Sequence, residues 1–162
     1  MAYAGIPAYI LGILILIIVM MVHGFSILQI AKRYEVKSYL YLFEKKYKQV
    51  ILIFYLAVLI LLLLHIFEIF IWGLCLYALH LVPRLSEGIL FSGSTYTAMG
   101  FMNNILPNGW EMLAIIIALS GMFAFAWTAS VMISMTKNFR QAYARMHMES
   151  LNLAREVIDR FE

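Results

Sequence analysis

The stretch Ser92-Gly93-Ser94-Thr95-Tyr96-Thr97-Ala98-Met99-Gly100-Phe101-Met102-Asn103-Asn104 decides how the chain is read. It is rich in glycine, serine and threonine, yet it lies between two long apolar segments. A lipid-facing span would be far less polar. The residues just before it, Ser86 to Leu90 and on, have the character of a short helix. A short helix, an extended polar strand and a return into apolar sequence form the layout of a re-entrant loop. Irregular backbone at membrane depth survives only where protein buries it or where it lines a watery cavity.

The rest of the chain supplies the membrane context. Its 162 residues are 64% hydrophobic and only 13% charged, far from the balance of a soluble globular domain. Each long apolar run can cross a hydrocarbon core of roughly 30 Å. The fold class expected is therefore all-α integral membrane, with three transmembrane helices and a re-entrant pore helix and loop between the second and third. The start, Met1-Ala2-Tyr3, carries no basic side chain and the first apolar run is long, so a cleaved signal is not expected. The lone Cys75 cannot form an intrachain disulfide and reads as a small apolar residue.

Working outward from the loop gives four segments. Residues 1–31 hold the first transmembrane helix, about Pro7 to Ile30. Residues 32–49 form a basic connector, with Lys32, Arg33, Lys37, Lys45, Lys46 and Lys48 set against Glu35 and Glu44. Residues 50–136 form the pore unit. Its outer helix runs from about Val50 to Leu81 and is stopped by Pro83. Its short helix starts at Ser86, with Glu87 suited to the positive helix end, and runs to about Thr97. Pro107-Asn108-Gly109 makes a turn, and the inner helix covers Trp110 to Met135. Residues 137–162 form an amphipathic helix. Phe139, Tyr143, Met146, Leu153 and Val157 fit a coiled-coil seam, while Lys137, Arg140 and Arg145 fit a helix lying on anionic lipid.

Eleven of the twelve Lys and Arg residues lie in the connector or the tail, and only Arg84 lies elsewhere. The positive-inside rule then puts connector and tail in the cytoplasm and the N-terminus outside a cell membrane crossed three times. The net charge of +3 follows from that orientation and calls for no nucleic-acid partner.

The order of outer helix, short helix, Thr95-Tyr96-Thr97-Ala98-Met99-Gly100-Phe101 and inner helix resembles the pore unit of the potassium-channel superfamily. More narrowly, it is similar to the small bacterial ion channels related to two-transmembrane and two-pore-domain potassium channels. Their filter often reads Thr-Tyr-Thr-Thr-Leu-Gly-Tyr-Gly-Asp. Pro107 and Trp110 fall where those proteins place a Pro and a Trp, and His65, Glu68 and Trp72 match a pattern on their outer helix. The resemblance covers about Ile60 to Met135. It implies a homotetramer in the lipid bilayer, with Thr97, Ala98, Met99, Gly100, Phe101 and Met102 as the filter and pore loop. It implies monovalent cations as the permeant species, and no cofactor. Gly121 matches the inner-helix hinge glycine, or is a packing glycine.

The departures from that pattern are specific. A potassium filter replaces the ion's hydration shell with backbone carbonyls, to which a threonine hydroxyl adds. Here Ala98 stands at that threonine and offers no hydroxyl. Met102 stands at the second glycine, where the left-handed backbone would cost a side chain roughly 1 kcal/mol. Asn103 replaces the acidic residue. The filter expected is one altered from the potassium type. The alternative is a non-conducting scaffold or sensor that keeps the channel fold. A third reading is a small transporter or membrane enzyme with Glu68 carrying a proton.

Glu68 is the costliest residue to place, since a carboxylate at membrane depth costs ~3 kcal/mol unless paired. His65 and Trp72 share its face at helical spacing. Together with Thr95 they are read as filter support, hydrogen-bonding the pore helix or loop from behind. The competing reading is a pH-sensitive or ion-coordinating pair. One His and one carboxylate are too few for a closed metal site, so no metal is expected. His23 reads as an interfacial or interhelical hydrogen-bonding residue. No catalytic constellation is visible, and an enzyme is not expected.

Overall fold

A computed structural model describes the backbone of residues 5–100 and 105–161, and the side chains of residues 9–100 and 105–152. Every regular element among the described residues is helical. They are α1 (Gly5–Phe43), α2 (Tyr47–Ala78), α3 (Leu85–Tyr96) and α4 (Met112–Phe161). Helices α1, α2 and α4 are each long and apolar enough to cross a membrane, as expected for a multi-pass membrane protein.

Three boundaries depart from the sequence expectation. The basic connector is mostly helix, because α1 runs on to Phe43 and leaves only a tight turn before α2. No proline or glycine interrupts residues 32–43, and Tyr34 and Ser38 bury one face of the extension. The tail is likewise the continuation of the inner helix, since α4 is an unbroken 50-residue helix. At the start of α3 the N-cap is Arg84, not Ser86. Its φ of −135° and ψ of 143° are extended, and no side chain caps the helix. Glu87 does lie in the first turn, where it pairs with the Arg84 guanidinium.

Three helices end in the same way. Lys45, His80 and Ala98 have φ of 57°, 56° and 58°, each just past a helix end. In each case the next residue's N–H reaches back five residues: Lys46 to the Tyr41 carbonyl, Leu81 to Leu76, and Met99 to Ser94. The inner bond of each motif is also made, from Lys45 to Leu42, from His80 to Tyr77 and from Ala98 to Thr95. These are Schellman caps, in which the left-handed position normally favours glycine.

The chain divides into two compact units. One comprises Met1–Ile27 with Leu62–Thr128, and the other Leu28–Leu61 with Ala129–Glu162. The first has a core of Val19, Trp72, Leu76, Phe91, Tyr96, Leu113 and Ile117 with their neighbours. Helices α2 and α3 touch there through glycines. A Cβ on Gly88 would meet the Gly73 carbonyl, and one on Gly73 would meet the Ile89 backbone. The second unit is held by polar ties between α1 and α4. The Tyr34 hydroxyl donates to the Met135 carbonyl at 3.0 Å, and Asn138 Nδ2 donates to Ser38 Oγ at 2.7 Å. Phe54 packs on Phe139 in the same unit, with ring centroids 4.6 Å apart.

Candidate functional site

Glu68 is completely buried in the first unit. Burying a carboxylate without partners is prohibitive, so the decisive question is where its oxygens go. Oε1 lies 2.7 Å from His23 Nδ1 on α1, and Oε2 accepts the Tyr96 hydroxyl proton at 2.6 Å from α3. His65, one turn before Glu68 on α2, places Nδ1 2.9 Å from the same Tyr96 oxygen. The outer edges of both imidazoles converge on Thr128 of α4, whose Oγ1 is 3.1 Å from His65 Nε2 and 3.4 Å from His23 Nε2. One connected network thus takes a side chain from each of the four helices.

The protons can be counted around the network with Glu68 ionised. An ionised Glu68 only accepts, and Tyr96 has one proton, which it gives to Glu68. The Tyr96 oxygen therefore accepts from His65 Nδ1, and His23 Nδ1 donates to Glu68 Oε1. Both rings then carry a proton on Nδ1 and turn Nε2 toward Thr128. That hydroxyl has one proton and can satisfy one Nε2 lone pair. The other Nε2 is satisfied when it carries its own proton and donates to Oγ1. The same bonds close with a proton on Glu68 Oε1 and both rings neutral, so the network as a whole is neutral, and its nitrogen and oxygen atoms converge on one buried point.

Aromatic rings wall the network. Phe125 lies 4.5 Å from the His65 ring and 5.5 Å from the Tyr96 ring between centroids, and Trp127 lies 5.8 Å from the His23 ring. Such packing excludes water and raises the energetic stake of every bond inside.

The expected site residues are distributed as follows. His65 and Glu68 both bond Tyr96 at the C-terminal end of α3. Trp72 is buried but serves a different partner, donating Nε1–H to Ser120 Oγ of α4 at 3.0 Å. Thr95 contributes its carbonyl to the α3 cap. Ser94 bonds the Phe91 carbonyl at 2.9 Å, whereas the buried Ser92 hydroxyl has no partner among the described residues. Thr97, Ala98, Met99 and Gly100 are exposed, and the Thr97 hydroxyl bonds the Gly93 carbonyl at 2.7 Å. Phe101 and Met102 lie outside the described residues. Gly121 lies directly under α3, where a Cβ would strike the Tyr96 carbonyl, so it makes a close packing contact. Three residues central to the site, His23, Tyr96 and Thr128, were not expected to join Glu68. A histidine inside an apolar run is the one signal in the sequence for His23.

No protein-family model, no curated protein and no solved structure gives a significant match to this chain.

Proposed function

We propose that the chain is the subunit of a homotetrameric pore-loop cation channel, with a filter altered from the potassium type. The supporting observation is the anchorage of α3. This short helix follows one long apolar helix and precedes another, and its last residue, Tyr96, is pinned from behind by Glu68 and His65. Its carbonyl side rests on Gly121. The residues that follow, Thr97 to Gly100, are left exposed at the end of the pinned helix. In this reading they face a central conduit closed by four copies, since one chain carries one loop. Monovalent cations are the permeant species, α4 lines the inner vestibule, and the basic ends of α1 and α4 lie in the cytoplasm.

A specific observation favours a second reading, a non-conducting scaffold that keeps the fold. The Ser94 carbonyl accepts the N–H groups of both Met99 and Gly100, at 2.8 and 3.2 Å. These bonds fold the chain back onto the end of α3 instead of extending it as a filter strand, and Ala98 adds no hydroxyl.

Flux from liposomes holding the purified protein, under separate potassium, sodium and chloride gradients, separates the two. The channel reading expects potassium and sodium to pass and chloride not to. Silence for all three ions, with the tetramer shown intact, would decide for the scaffold.

A further inference from the structure

The geometry points to a buried site for a divalent transition-metal ion, held by His23, His65, Glu68 and Tyr96. The site uses the residues that anchor α3, and its test does not depend on conduction. The spacing along α2 supplies one histidine and one carboxylate, and α1 adds the second histidine. Ligand atoms of His23, His65 and Glu68 lie within 4.8 Å of one another, and all three residues are buried. Two imidazoles and a carboxylate suit zinc or ferrous iron.

The existing hydrogen bonds already have nearly the right dimensions. His23 Nδ1 to Glu68 Oε1 is 2.7 Å, Glu68 Oε2 to the Tyr96 oxygen is 2.6 Å, and the Tyr96 oxygen to His65 Nδ1 is 2.9 Å. A tetrahedral ion with bonds of about 2.0–2.1 Å spaces its ligands roughly 3.3 Å apart. Replacing the bridging protons with one metal ion asks the bonded pairs to open slightly and the remaining pairs of His23, His65 and Glu68, within 4.8 Å, to draw in around it.

The outer shell fits as well. A metal-bound histidine donates its other ring N–H to an oxygen, which fixes tautomer and orientation. With Nδ1 of each ring on the metal, each Nε2–H donates to Thr128 Oγ1, whose two lone pairs accept both. Charge also balances. The metal-free network is neutral as a whole. Loading a divalent ion releases two protons, one of them from Tyr96, leaving two neutral imidazoles, a carboxylate and a phenolate. The loaded site is neutral, as a buried position in an apolar setting requires.

The test is to produce the full chain with added zinc, and separately with cobalt in its place. Bound metal is measured by elemental analysis after gel filtration, and cobalt by visible absorption. One zinc per chain is expected, with the intense bands of tetrahedral cobalt. His23→Ala should lose the metal, whereas His147→Ala, on the exposed tail, should keep it. Thr128→Ala leaves all four ligands in place and should weaken zinc binding by about 10- to 100-fold against a competing chelator. It also decides the question should His23→Ala fail to fold. Wild-type protein without zinc, zinc that survives His23→Ala, or affinity unchanged by Thr128→Ala would each overturn the site.

Discussion

Glu68 shows how much one side chain can dictate in a low-dielectric setting. Its two oxygens take bonds from two different helices, so α1 and α3 are held to α2 by the need to satisfy one carboxylate. The same intolerance operates at Gly121, where nothing larger than hydrogen fits against the Tyr96 carbonyl. Gly121→Ala should destabilise the protein by roughly 2–3 kcal/mol through overpacking, as read from denaturant unfolding in detergent micelles. A hinge glycine that makes no such contact would tolerate alanine with little loss. Ala98 has the opposite mismatch, since its φ of 58° is a left-handed position that glycine occupies without strain. Ala98→Gly should raise stability by ~0.5–1 kcal/mol in the same assay. A drop in stability would show that the α3 cap is not the resting geometry.

At the scale of the elements, the length of α1 was the least expected feature. Charge density at residues 32–48 marked a basic connector apart from the first span, but charged residues are good helix formers when one face is buried. Val36 is exposed on that extension and far from any helix end. Val36→Pro should therefore cost about 3 kcal/mol, through the lost backbone bond and the ring clash, whereas a flexible connector would absorb it for less than 1 kcal/mol. The positions of the three long helices and of α3 were legible from hydropathy, Pro83 and the polar run that follows. Their ends were less so, because all three Schellman caps use residues other than glycine, namely Lys45, His80 and Ala98. The site was half legible. The i, i+3 spacing of His65 and Glu68 puts them on one face of α2, but periodicity within one helix carries no information about a partner 45 residues away. His23 could therefore be seen as a polar residue needing a bond, and not as Glu68's partner. The Gly73–Gly88 contact escaped for the same reason, since each glycine looks ordinary within its own helix.

For the whole molecule, the features join into one proposal. Basic residues gather at the ends of α1 and α4 that are read as cytoplasmic, and Arg84 stands alone beyond the far end of α2. The buried network ties the end of α3 to the three long helices, and Thr97 to Gly100 remain uncovered in the single chain. Four copies around a common axis would cover those residues with one another. On the channel proposal, the Glu68–Tyr96 bond would hold Thr97 to Gly100 at that axis. The most direct measurement is potassium and sodium flux through liposomes carrying wild type or Tyr96→Phe, with oligomer size checked for both by native mass spectrometry. The phenylalanine keeps the ring and removes the hydroxyl that Glu68 and His65 share. The account predicts four copies in each case, cation flux in the wild type, and at least a tenfold loss in Tyr96→Phe. Flux in Tyr96→Phe equal to that of wild type would contradict it.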